Sequence, residues 1–382
     1  MSFGSLRLWA TETNWYNIEG QGEGQYDWTN LDSWLQLAQQ YGMTDVLYTF
    51  AVVPPWASSN PNDLTCVSSY SPPGSCDAPK DLNLDGSGTD LIWQNFVTAI
   101  VEHSLSSPYS HIKYWEVWNE PDIPQLWNGT MAQTVRMAKD AYTIIKSLDP
   151  TATVTTPSPV NSGGPNEHLL TWLSEYLAAG GSPYADVIAF HAYFNPSRGN
   201  MPEAIIPMAS GLDTVRADAG LNSLPIWNTE GGWGINADLR DPDLQAAFVA
   251  RFHLLQWSVG ISRFYWFEYG NQGEGTLWTP LGLNEPGIAY DQVYDWMVGA
   301  TLASPCSVSG SVWTCNLTKP GSIQTQAVWD VSQTCRNGIC TTSNYTPNSI
   351  YTKYADLAGN VTDFTPGTPV QIGAKPILLE NQ

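Results

Sequence analysis

The sequence predicts an α/β fold, a TIM-type (β/α) barrel that apparently lacks its first strand, followed by a small antiparallel β domain. Three observations carry this expectation. Short β-rich runs alternate with amphipathic helical patterns up to about Ala300. Such repetition builds a parallel sheet, and this many repeats favour closing the sheet into a barrel. Two of the runs close on glutamates, Glu120 and Glu230, and carboxyls at strand ends are delivered to the mouth of a parallel sheet, where ligands bind. Beyond Ala300 the composition shifts to Thr, Val, Ser, Gly and Pro, with period-two alternation over Ile323 to Trp329 and again over Ser349 to Tyr354, the pattern of antiparallel strands.

Seven runs read as barrel strands: Leu6 to Trp9, Asp45 to Phe50, Ile112 to Asn119, Ala152 to Thr156, Asp186 to Phe190, Pro225 to Thr229 and Ser262 to Phe267. Among the helices between them, Leu31 to Tyr41 places Leu31, Trp34, Leu35 and Ala38 on one face and stops at Gly42. Another starts at Asp90, read as its N-cap, and aligns Ile92, Phe96 and Ile100. A third, Leu169 to Leu177, buries Leu169, Trp172, Leu173 and Tyr176 before Gly180-Gly181. The expected domains are a catalytic barrel over 1–300 and a β-sandwich-like accessory domain over 301–382. For the latter, packing against the barrel is favoured over sugar binding, because appended modules bury a shared apolar interface.

Composition removes several functions. The 15 Lys+Arg against 36 Asp+Glu leave a formal charge of -21, the wrong sign for a phosphate backbone or an anionic membrane surface. No run is long and apolar enough to cross a bilayer. The six cysteines form three local pairs, Cys66 with Cys76, Cys306 with Cys315 and Cys335 with Cys340, which point to disulfides and a secreted, extracellular setting. With no CxxC, no HExxH and scattered histidines, no metal or cofactor is expected. Four N-x-T sequons, at Asn128, Asn316, Asn344 and Asn360, decide nothing about source.

Eighteen tryptophans are many for a chain of this length. Most should fill it, while those at strand ends, Trp9, Trp56, Trp118, Trp233 and Trp266, are candidates for flat faces against sugar rings. The long loop from Pro54 to Asp90, with its cysteine pair, suits an extended cleft over the barrel mouth.

Trp118-Asn119-Glu120-Pro121 resembles the acid/base signature of clan A glycoside hydrolases, and Trp227-Asn228-Thr229-Glu230 resembles their nucleophile strand. With Arg7 in Leu6-Arg7-Leu8-Trp9, Tyr26-Asp27-Trp28 before a helix, Leu47-Tyr48-Thr49-Phe50 followed by Pro54-Pro55-Trp56, and the trailing β module, the chain looks most like glycoside hydrolase family 39. The resemblance implies retaining cleavage of a β-linked oligo- or polysaccharide through a covalent glycosyl-enzyme intermediate, with the two carboxyls about 5–5.5 Å apart. Glu230 would be the nucleophile and Glu120 the acid and later the base. Arg7 and Tyr193 would donate to Glu230, Asn119 would hold the sugar 2-hydroxyl, and Trp266 would floor the subsite, the peptide after it often being cis in this clan. His191 is a candidate ligand contact. Glu116 and Glu268 read as structural, with Glu116 in a buried salt bridge to Arg7.

In clan A the acid/base closes the fourth strand and the nucleophile the seventh, whereas here they close the third and sixth. Met1 to Ser5 is too short to add a strand and its helix. The expectation is a seven-stranded barrel with exposed edges at Leu6 and Ser262, covered by another segment or by a second copy in a homo-oligomer. A different class of function stays open beside the hydrolase: a non-catalytic carbohydrate-binding protein or an inactive truncated homologue.

Overall fold

The computed structural model describes residues 3–68, 71–161, 166–196, 199, 201–234, 239–270 and 275–381. All seven expected parallel strands are present. In chain order the elements are β1 (Ser5–Leu8), α1 (Trp15–Glu19), α2 (Thr29–Gln40), β2 (Asp45–Thr49), α3 (Leu91–Ser106), β3 (Ile112–Glu116), α4 (Met131–Leu148), β4 (Thr153–Thr155), α5 (Asn166–Tyr176), β5 (Ile188–Tyr193), α6 (Ile205–Asp218), β6 (Ile226–Gly232), α7 (Pro242–Ser258), β7 (Ile261–Trp266), β8 (Trp278–Thr279), β9 (Gly282–Leu283) and α8 (Glu285–Met297). The parallel strands form two sheets, β1-β2-β3-β4 and β5-β6-β7. Parallel bridges from Thr155 to Val187 and from Val160 to His191 continue the order from β4 to β5. Among the described residues no closed ring forms, so the barrel expectation holds as parallel strand-helix order rather than as closure.

Two compact units divide the chain. One comprises Ser2–His191 and Gly211–Thr229, the other Ala192–Ser210 and Glu230–Gln382, so the division runs through β5 and β6. In the first unit the core is aromatic. Trp15 stacks on Phe96 at 5.0 Å, and Phe50 packs against Trp93, Phe96 and Trp115. Aromatic bulk of this kind fills the space between helices and sheet with few side chains.

In the second unit the C-terminal strands Thr301–Leu302, Val312–Lys319, Ile323–Asp330, Ile377–Glu380, Lys353–Ala355 and Val361–Asp363 form one antiparallel sheet. The sheet covers a small apolar core of Val328, Tyr351, Val370, Ile372, Ile377 and Leu379. This module is tied to α7. Arg251 on α7 pairs with Glu203, which also accepts the Trp329 indole N–H at 3.2 Å, and the Ser258 hydroxyl accepts the Cys306 N–H at 2.7 Å. The three cysteine pairs are disulfides: Cys66–Cys76, Cys306–Cys315 and Cys335–Cys340.

Asp90 does precede α3, but it does not cap the helix. Its backbone is left-handed (φ 52°), its carboxylate makes no capping bond, and the residue is fully buried. Burial, followed by the neighbouring Asp140 and Asp81 carboxyls and offset in part by Arg136, pushes its pKa up to about 8. A carboxyl held above its unfolded value near 3.8 makes the native state bind the extra proton. Its stabilising share is therefore complete below about pH 4 and is lost as pH rises through about 8. Asp90→Asn keeps a residue that tolerates the left-handed backbone and cannot ionise. Its Tm should exceed that of the wild type by a margin that grows from pH 4 and levels off past pH 8. A margin independent of pH in thermal melts would show that Asp90 is already ionised in the fold.

Candidate active site

Glu120 lies just past β3 in a left-handed backbone conformation (φ 44°), a costly geometry for a residue with a Cβ. Its peptide N–H donates to the Ser158 carbonyl at 3.0 Å, while its own carbonyl accepts from the Ile123 N–H. On either side, Ser158 N–H donates to the Trp118 carbonyl and the Asn119 and Ser158 backbones bridge in parallel. The chain is thus pinned where the carboxyl must point, and the side chain is 13% exposed.

His191 on β5 is fully buried. Its Nδ1 lies 2.8 Å from Glu120 Oε1, and its Nε2 lies 3.2 Å from the Arg7 Nη2. A guanidinium can only donate, so Nε2 is the acceptor and the proton sits on Nδ1, donated to Glu120. Burial, reinforced by the Arg7 charge, holds the imidazole well below its ordinary pKa, and the ring stays neutral.

Arg7, on β1, organises the rest. Its Nε and Nη2 donate to Glu116 Oε2 at 3.0 and 2.6 Å, and Nη2 also reaches the Asn119 side-chain oxygen at 2.7 Å. Glu116 is fully buried and also accepts the Thr49 hydroxyl at 2.8 Å. The expected Arg7–Glu116 salt bridge is therefore present. It turns the Asn119 amide so that its oxygen faces β1.

Asp122, which sequence reasoning passed over, belongs to the same wall. Both its oxygens accept the Val160 N–H, His168 Nε2 lies 3.3 Å away, and burial raises its pKa to about 6. The only hint in the sequence was its place two residues after Glu120.

In the second unit Glu230 sits on the wholly buried β6 and is itself 6% exposed. The Tyr193 hydroxyl donates to its Oε1 at 2.5 Å. Tyr193 follows His191 by two residues on β5, so the two side chains leave the strand on one face.

Trp266 ends β7, and its indole N–H donates to the Gly275 carbonyl at 2.7 Å. Gly275 has φ +68°, and a Cβ there would lie 2.4 Å from the Phe267 carbonyl, so only glycine permits this approach. His253 lies nearly parallel to Trp266, at 24° and 5.8 Å, and is kept neutral by burial, which lowers its pKa to about 4. The cis peptide is Phe267–Glu268, one bond beyond the position expected.

Two of the proposed sugar-facing tryptophans are core residues instead. Trp118 is 3% exposed, packs on Trp93 and Trp127, and donates its N–H to the Leu126 carbonyl. Trp233 is 4% exposed against Phe248 and Trp266. Strand-end position alone did not distinguish rings turned under the neighbouring helices from rings left open. Trp9, Trp56 and Trp266 remain partly exposed.

Family comparison decides the class. The model described as glycosyl hydrolase catalytic core matches residues 91–290, over half the chain. The chain belongs to the glycosyl hydrolase catalytic core family. It is a glycosidase, and a second model, the catalytic domain of glycoside hydrolase 123, matches residues 11–161. No curated protein matches the chain in sequence.

Solved structures of family 39 and family 30 glycoside hydrolases share its fold. A family 39 glycoside hydrolase from Bacteroides cellulosilyticus WH2 superposes with TM-score 0.72 at 18% identity, covering 100% of this glycosidase and 76% of that chain. A monomeric β-xylosidase from Caulobacter crescentus CB15 gives 0.66 at 15% identity, with coverages of 99% and 89%. The catalytic domain of the family 30 xylanase C from Talaromyces cellulolyticus gives 0.56 at 14%, with coverages of 99% and 87%.

Removing Glu116 takes a buried carboxylate from a guanidinium whose side chain is 6% exposed. Glu116→Ala should therefore cost about 3–5 kcal/mol in urea denaturation. An unchanged midpoint would mean that Arg7 escapes to solvent and that the pair does not hold the cluster.

Proposed function

We propose that the protein is a retaining glycosidase of β-linked oligo- or polysaccharides, with Glu230 as nucleophile and Glu120 as acid and then base. The observation that carries the reading is that each of the two glutamates is aimed by a donor from β5, His191 for Glu120 and Tyr193 for Glu230. Glu120 accepts from a histidine that burial, reinforced by Arg7, keeps neutral. A neutral donor adds no positive charge beside Glu120, so the bond does not bar the proton that a general acid must carry. Glu230 accepts the Tyr193 hydroxyl, which holds the carboxylate in one orientation for attack.

In the first step Glu230 attacks the anomeric carbon as the proton of Glu120 passes to the leaving oxygen. In the second, Glu120 takes a proton from water, which displaces Glu230 and restores the original anomeric configuration. His191 keeps one Glu120 oxygen engaged, so the proton resides on the other, toward the leaving group. Asn119, its oxygen held by Arg7, presents its amide N–H groups to the sugar 2-hydroxyl, where hydrogen bonds strengthen in the transition state. Trp266 supplies a flat face for the ring. The similar β-xylosidase and xylanase folds, together with three disulfides, support a plant-type polysaccharide met outside the cell.

Glu230→Ala should reduce turnover to background. Glu120→Gln should lower kcat by roughly 10²–10⁴ on natural glycosides and far less on aryl glycosides whose leaving groups need no proton. NMR of the first-formed product should show the substrate's anomeric configuration; an inverted product rules out the covalent route, and full activity of Glu230→Ala rules out the assignment.

A further inference from the structure

Beyond Trp266 the chain builds an aromatic surface that the mechanism above leaves unused. Tyr269 is 43% exposed and Trp278 38% exposed, and their rings lie 16° from parallel with centroids 6.0 Å apart. Leu281, at the turn of the β8–β9 hairpin, is fully exposed beside them in sequence. Leaving such rings in water forgoes the burial that usually stabilises them.

The two aromatic positions are joined by backbone bonds. The Tyr269 carbonyl accepts both the Leu277 and Trp278 N–H groups at 3.0 Å, which locks the two aromatic positions together. Leu277 is wholly buried. Asn284 donates its amide to the Thr276 carbonyl and caps α8 through the Gly287 N–H, and a Cβ on Gly287 would lie 2.0 Å from the Leu277 carbonyl. The hairpin is seated on the start of α8 while the rings stay out.

The location is also particular. Glu230 is followed by Gly231, whose carbonyl accepts the Phe267 N–H at 3.0 Å, and Phe267 stands two residues before Tyr269. The pair therefore lies at the same strand ends as the proposed nucleophile, on the run that leaves β7.

We propose that Tyr269 and Trp278 form a second carbohydrate subsite, stacking on a ring of an extended, uncharged β-linked chain beyond the ring held at Glu230. The proposal rests on the glycosidase reading above and deepens it from glycosides in general to polymeric ones. Near-parallel flat rings with a hydroxyl and an N–H at their edges suit a sugar, whose faces are C–H and whose rim is hydroxyl. A second protein copy fits less well. Two rings and a leucine offer a few hundred Å², well below the roughly 800 Å² per partner of a stable interface. The net charge of -21 disfavours a polyanionic glycan.

The test compares the wild type with Tyr269→Ala/Trp278→Ala and with Trp278→Phe, each checked for fold by circular dichroism. Native gels cast with soluble xylan or β-glucan read binding. Turnover of a β-linked hexasaccharide and of an aryl monoglycoside, which is too short to reach the pair, reads catalysis. The expected result is retardation of the wild type and of Trp278→Phe but not of the double variant. The double variant should also lose about tenfold or more in kcat/KM on the hexasaccharide and less than about twofold on the aryl glycoside. Equal retardation of double variant and wild type, absence of wild-type retardation by either polymer, or equal losses on long and short substrates would each overturn the subsite. Should the double variant fail to fold, Trp278→Ala takes its place under the same criteria. Retardation that depends on the pair without turnover by the wild type would sustain the subsite and sink the hydrolase; turnover indifferent to the pair would do the reverse.

Discussion

Arg7 is the hub on which the first unit's polar cluster depends. One buried guanidinium binds Glu116 through two nitrogens, turns Asn119, and sets the tautomer of His191, which in turn faces Glu120. A buried charge is tolerated only when it is paired and hydrogen-bonded. Arginine suits the role because its donors are fixed in a plane and it cannot lose its charge. The consequence passes along the bonds: burial, reinforced by a permanent cation, keeps His191 neutral, and the bond from Arg7 places the ring's proton on the nitrogen that faces Glu120.

The second unit relies more on backbone and ring packing. Glu230 is positioned on a strand buried along its whole length, and the Tyr193 hydroxyl donates to its carboxyl. Trp266 is held by Trp233, Phe248, Phe252, Phe264 and His253, and by a carbonyl that only a glycine could bring close. The C-terminal β module reinforces α7 from behind. Its Trp329 and the α7 residue Arg251 share Glu203, so the sheet completes the burial of an ion pair that would be costly without partners.

Much of the fold was legible because strand-helix alternation is a local signal. Each β-rich run from β1 to β7 was readable from its own few residues, as were the disulfide pairs, separated by 10, 9 and 5 positions. The candidate carboxyls were readable for the same reason, since Trp-Asn-Glu-Pro and Trp-Asn-Thr-Glu are contiguous. Other features were hidden. Asp90 has the composition of a cap, yet its left-handed backbone and the approach of Asp140 from α4 make it a buried acid. Trp118 and Trp233 look like open strand-end rings, and only the packing of Trp127 and Phe248 shows that they are closed over.

By itself the sequence determined the order of strands and helices, the acidic surface, the disulfide framework and the two glutamates, because periodicity, charge and short motifs are properties of neighbouring residues. The tertiary structure decided the chain from Glu116 through Arg7 and His191 to Glu120, the Tyr193 donor on Glu230, and which tryptophans are covered. Those outcomes depend on residues brought together from positions tens to nearly two hundred apart in the chain, as Arg7 and His191 are across 184. No local pattern encodes the burial and hydrogen-bond partners that such meetings create.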